Sequence, residues 1–318
     1  MSIENNTDTY THLRIMNWIE IIDRAFYLYR RHFLLFIGIS LIYTILSISV
    51  DELIEFLWKN NPYGLIEQLI SSLLSQLAIG ILIIAATETY FQRHITIRDS
   101  FQRFKNIHPR YLFSVFIYLI PSLFPLLSIP LSLRLLIRGD MFAISFPPPG
   151  TIFSVYLLTY SVTTYFEITW QVYVPVIVVE GGMKPKPLRR SRELIRKSWW
   201  RVFGTIHTLS ILLRAIGLIF VVSFVLLLGM FGLMGDAPVW DIVEYVLRSS
   251  VGFFSGKPPP FELGSTTHII LISLRIVAAV LTKPLFAIAI MLIYFNQRVR
   301  REGFDIEMKI SQDDVLRQ

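Results

Sequence analysis

The sequence predicts an all-α protein, a polytopic transmembrane helical bundle of about six spans arranged as three units of interfacial helix plus transmembrane hairpin. Three observations predict it. Charged residues are 17% of the 318 residues and hydrophobic ones 53%, whereas a soluble domain carries about 25% charge. Apolar runs long enough for the hydrocarbon core recur along the whole chain. Lys and Arg concentrate in alternate loops, as a multi-pass topology requires.

The chain reads as a single integral membrane domain, 1–318, that opens with an amphipathic segment, 1–32. The polar stretch Met1 to Tyr10 lacks the basic flank and short apolar core of a cleaved signal, so the first apolar run is expected to be an uncleaved span. Spans are expected at about 33–50, 65–91, 111–137, 151–180, 202–234 and 268–296, with a tail at 297–318. Each suffices for about 30 Å of hydrocarbon once tilt or snorkelling is allowed. Pro121, Pro125 and Pro130 in the third span, Pro175 in the fourth and Pro284 in the sixth are candidate kinks or breaks.

The loop charges orient these spans. Between the spans on one side, only Lys59, Arg138, Arg248 and Lys257 are basic. The other side holds Arg14 to Arg31, Arg93 to Arg110, Lys184 to Arg201 and the Arg298 to Arg317 tail. The positive-inside rule puts that second side, and both termini, in the cytoplasm of a bacterial-type inner membrane. The outer loops comprise an acidic amphipathic stretch, Asp51 to Glu55, a segment ending Pro147-Pro148-Pro149-Gly150, and a long loop, 236–267, closing with Pro258-Pro259-Pro260. In that loop Ile242, Val243, Val246 and Leu247 share a helical face, which predicts a short interfacial helix.

Three inner stretches are alike. Asp23 to Phe33, Asp99 to His108 and Ser191 to Arg201 are each basic and amphipathic, end on aromatic residues or His, and precede a pair of spans. Their basic faces suit anionic headgroups and their aromatic residues suit the interface. Internal duplication is one origin for the pattern, and the positive-inside rule acting on each loop separately is the other.

Charge within a span is costly and marks a candidate site. Glu167 in the fourth span and Lys283 in the sixth lie at matching depths, so a pair between them is geometrically possible. Arg214 and Arg275 complete the candidate intramembrane polar site. Its readings are a polar path for an ion, proton or anionic headgroup, a buried pair that fixes packing, or side chains that reach water where the bilayer is thin. Glu88 and Arg134 lie near span ends, where snorkelling accounts for them.

Soluble chemistry has little support. Zero cysteines exclude disulfides and thiolate metal sites, the six His lack ligand spacing, and no phosphate-binding, nucleophile-elbow or zincin motif occurs. No cofactor, metal or nucleic-acid partner is expected. The expected partners are the bilayer, anionic inner-leaflet lipids and an unspecified membrane protein.

The second half carries a pattern. Pro175-Val176-Ile177-Val178-Val179-Glu180-Gly181 precedes Pro187-Leu188-Arg189-Arg190-Ser191 and Trp199-Trp200-Arg201-Val202-Phe203-Gly204. Pro284-Leu285, Tyr294 and Arg298-Val299-Arg300-Arg301-Glu302-Gly303-Phe304-Asp305 follow. Over residues 170–310 this resembles the membrane domain of some glycerophosphoryl diester phosphodiesterases and the stand-alone bacterial membrane proteins related to it. The resemblance implies a membrane module without the catalytic barrel. Members of that set often place an acidic residue where this chain has Asn296.

On the residues themselves, Arg189, Arg190, Arg298, Arg300, Arg301, Glu302 and Asp305 form a candidate inner-leaflet headgroup or docking site. An anchor that locks the last span to the third basic stretch is the alternative use of the same residues. The leading expectation is a non-enzymatic scaffold or accessory module at the inner leaflet. The second is a small transporter or lipid-handling protein using Glu167, Arg214, Arg275 and Lys283.

Overall fold

A computed structural model of the chain describes residues 14–57, 65–137, 149–181, 186–233, 238–251 and 265–303. Ten helices and no strand occur among the described residues, so the fold is the all-α bundle predicted. In chain order they are α1 (Trp18–Arg31), α2 (Phe33–Leu57), α3 (Leu65–Tyr90), α4 (Ile97–Ile137) and α5 (Pro149–Trp170). These are followed by α6 (Tyr173–Glu180), α7 (Pro187–Ile195), α8 (Trp199–Met230), α9 (Val239–Val251) and α10 (Ser265–Glu302).

Five segments are long and apolar enough to cross a membrane: Phe33–Val50, Leu69–Tyr90, Leu157–Glu180, Trp199–Met230 and Ile269–Glu302. They make the chain a multi-pass membrane protein. The third predicted span falls in α4, where the apolar stretch Tyr111–Pro121 is described with its side chains. The triplet Pro258 to Pro260, together with Pro147 and Pro148, lies outside the described residues.

The basic stretches form helices for local reasons. Asn17 accepts the Glu20 amide N–H while the Glu20 carboxylate accepts that of Asn17, a capping box that starts α1. Thr96 and Asp99 exchange the equivalent bonds and start α4. Those Thr96 bonds hold the Asp99 carboxyl below its ordinary value. Pro187 opens α7 at a position where its missing N–H costs nothing. The first and third stretches are therefore distinct helices. The second runs unbroken into its span and makes α4 41 residues long.

Three further boundaries differ from expectation. The acidic stretch Asp51 to Glu55 continues α2 instead of forming a loop, since no Gly or Pro interrupts it. Pro149 starts α5 instead of closing the preceding loop. The fourth span is two helices. Pro175 has no N–H for the Gln171 carbonyl and its ring crowds that carbonyl, so the chain turns at Gln171-Val172 before α6 resumes.

Proline also leaves acceptors that neighbours must fill. Pro125 cannot bond the Pro121 carbonyl, and the Thr163 hydroxyl of α5 donates to it at 3.1 Å. Near the turn in span four, the Ser191 hydroxyl of α7 donates to the Thr169 carbonyl at 2.8 Å. Side-chain hydroxyls re-satisfying freed backbone groups are what permit breaks at membrane depth.

α10 is the hub. From Ala287 to Gln297 every residue is at most 2% exposed, so three turns are enclosed on all faces. Its main packing partners are α1, α2, α3, α6, α7 and α8. α8, by contrast, turns Ile211 and Ile219 outward at 66% and 65% exposure, the mark of a helix with one face to lipid. α3 and α4 approach closely at Gly80, where a Cβ would come within 2.9 Å of the Phe104 and Tyr111 rings. The predicted interfacial helix is α9. Its Ile242, Val243 and Val246 pack on Val221 and Val225 of α8 and on Leu271 and Ala278 of α10, while Leu247 stays exposed.

Candidate functional site

The last turns of α10 gather the basic stretches at one end of the bundle, here termed the basic end. Phe295 stacks on Tyr90 at the end of α3, with ring centroids 5.3 Å apart. The Asn296 amide clamps the residue before the α1 cap: its Oδ1 accepts from the Met16 N–H at 2.9 Å, and its Nδ2 donates to the Met16 carbonyl at 3.1 Å. A carboxylate at this position could only accept. Arg300 donates to the same Met16 carbonyl at 2.9 Å. On the α8 side, Ser198 donates to the Gln297 Oε1 at 2.6 Å.

α7 is held by charge. Arg190 lies 3.0 Å from Glu180 at the end of α6 and 2.6 Å from Glu302 at the end of α10. Arg298 reaches back to Glu302 at 3.2 Å, and the Tyr294 hydroxyl donates to Glu180 at 3.0 Å. Two arginines and two glutamates thus close a ring across three helices, all with side chains at most 26% exposed. Burial alone would disfavour the Arg190 charge. The hydrogen bonds and charges of Glu180 and Glu302 outweigh it and keep its pKa above the ordinary value. At the end of α3, Glu88 takes Arg103 of α4 as partner, with Arg93 at 3.7 Å, so it is paired instead of snorkelling.

The predicted docking residues thus have different fates. Arg190, Arg298 and Glu302 meet. Arg189 points outward and pairs with Glu193 at 3.0 Å. Arg300 serves the α1 clamp, and Arg301 donates to the Glu193 carbonyl. Asp305 lies outside the described residues.

The predicted intramembrane site does not assemble. Lys283 stands over the Tyr43 ring of α2 at 4.2 Å, not beside Glu167. Glu167 is half-buried on α5 close to Tyr118, and α5 is not a main packing partner of α10. Arg275 lies 5.7 Å over the Tyr245 ring of α9, and Arg214 is exposed on α8. Matching depth did not bring Glu167 and Lys283 together, because depth fixes position along a helix and not rotation about it.

A groove that was not anticipated lies between α5 and the start of α8. Ser161 and Tyr165 of α5 form one wall, Trp199, Trp200 and Arg201 of α8 the other, and Arg196, Lys197 and Ser198 the roof, around about 690 Å³. The stretch Arg196-Lys197-Ser198-Trp199-Trp200-Arg201 was visible as basic and aromatic, but its partner wall on α5 had no sequence signal. Glu180, the acid at the centre of the ring, was equally hidden at the end of an apolar run.

Searches for resemblance add nothing to this geometry: no family model, no curated protein and no solved structure matches the chain.

Proposed function

We propose that the chain is a non-enzymatic scaffold module of a bacterial-type inner membrane, with its basic end and both termini on the cytoplasmic leaflet. One observation carries the reading. The three basic stretches are gathered at one end, and each is tied to a span by side-chain bonds, through Asn296 and Arg300, Glu88, and Glu180 with Glu302. A platform held this way presents a fixed cationic surface to anionic headgroups, where each basic residue contributes about 1 kcal/mol. The resemblance of 170–310 to stand-alone phosphodiesterase-type membrane domains goes with a module of this kind.

Orientation is tested by cysteine labelling, since the chain has no cysteine of its own. Trp240→Cys on α9 should react with an impermeant maleimide in intact cells, and Arg189→Cys on α7 only after permeabilisation. The opposite pattern would reverse the orientation. The scaffold reading is tested by reconstitution. Sustained solute flux or turnover of lipid phosphate by purified protein in proteoliposomes would overturn it.

A second reading, lipid handling, is favoured by the groove between α5 and α8.

A further inference from the structure

We infer that this groove is a binding site for one diacyl phospholipid with a net-negative headgroup, its phosphate seated among Arg196, Lys197 and Arg201. The inference rests on the reading that the basic end meets an anionic leaflet, and it gives that surface a specific site.

The charges come first. Most basic side chains around the ring are already spent on acids or carbonyls. Among the described residues no acidic side chain pairs with Arg196, Lys197 or Arg201, and all three line the groove. Arg300 stands close enough to Arg201 for the like charges to repel, which raises the positive potential further. A group of cations with no internal counter-charge around a concave space is a site for an anion, and guanidinium forks match phosphate oxygens. The Trp199 indole N–H is also buried without an acceptor in the same wall.

The apolar mouth then selects among anions. Trp199 is fixed by stacking on Tyr165 and Phe203, with centroids 5.8 and 5.2 Å away. Trp200 is 77% exposed at the groove edge. Below the cations the exposed surface is hydrocarbon. Leu158 on α5 shares a face with Ser161 and Tyr165 and is 69% exposed, and Ile211 on α8 lies three turns below Trp200 at 66%. A soluble phosphate has no use for that surface. A phospholipid fills both parts, with its phosphate under Arg196 and Lys197 and its chains along α5 and α8 beside an interfacial Trp pair.

Native mass spectrometry of the delipidated full chain, titrated with phosphatidylglycerol or phosphatidylcholine, tests the site. Two variants are compared. R196Q/K197Q/R201Q empties the groove of charge, and R30Q/R98Q/K105Q removes the same charge from exposed positions elsewhere at the basic end. Thermal unfolding shows whether each is folded. The expected result is one tightly held phosphatidylglycerol in the wild type, lost by roughly 100-fold in the groove variant. The distal variant should change by less than about threefold. Equal loss in both variants would remove the groove site while leaving the broad attraction of the basic end intact. No preference for phosphatidylglycerol over phosphatidylcholine in the wild type would overturn both ideas. Displacement of the lipid by millimolar inorganic phosphate would overturn the lipid assignment in favour of a soluble anion.

Discussion

Arg190 and Glu302, 112 residues apart in the chain, meet at 2.6 Å and join α7 to the end of α10. Glu180 and Arg298 complete the ring, so each charge has an opposite neighbour. Arg190→Gln removes the bridging cation and leaves Glu180 and Glu302 with Arg298 as the one remaining cation of the ring. We expect a loss of about 2 kcal/mol, since charge-assisted bonds of this kind contribute about 1.5–3. Unfolding in mixed micelles measures it. In a cycle with Glu302→Gln the two losses should not add, because both remove one shared contact.

The Thr163 hydroxyl bonds a carbonyl that Pro125 cannot serve. Thr163→Val should cost about 1 kcal/mol, the scale of side-chain hydrogen bonds between membrane helices. Pro125→Ala restores an N–H to the Pro121 carbonyl. In that background Thr163→Val should cost close to nothing, and an undiminished loss would show that the hydroxyl acts by packing alone.

Asn296→Asp retains the acceptor for the Met16 N–H but turns the donor to the Met16 carbonyl into a second acceptor. α1 should then loosen from α10. We expect faster amide exchange across Trp18–Arg31 and a loss of about 1–3 kcal/mol. Unchanged exchange in α1 would mean that Arg300 alone holds the clamp.

His32 joins α1 to α2. Burial, then the charges of Arg31 and His94, hold its pKa below the ordinary 6.5. As pH falls, the unfolded chain therefore takes up this proton before the folded one, and stability drops from about pH 6.5 downward, through the folded pKa, with no change above. The melting temperature of the wild type should fall between about pH 7.5 and 5.5, and that of His32→Gln should fall less.

How far the sequence reaches is clear from particular residues. Composition and the spacing of basic loops suffice for the all-α, multi-pass class and for which basic stretches share an end, because both depend on position along the chain. Among the described residues, five of the six expected spans are long and apolar enough to cross. The Arg190–Glu302 contact was within reach as a possible anchor, since a basic helix and an acidic chain end on the same side attract. Glu167 and Lys283 show the limit: their depths match, yet Lys283 has turned to Tyr43. Pro175 announced a break in the fourth span, but only packing decides that Ser191 fills the Thr169 carbonyl there. The groove needed two helices that are not neighbours in sequence, and neither wall reads as a site alone.

The enclosure of α10 bears on the order of assembly. It follows nine other described helices in the chain, yet six of them close around it. In chain order α1 and α7 precede the Asn296 and Glu302 partners that hold them, so those contacts are expected to form only once α10 is in place. Until α10 is threaded between them, the helices that pack on it are expected to lack that shared contact surface. A chain stopped before Ala287 would expose that vacancy to the membrane's quality-control proteases.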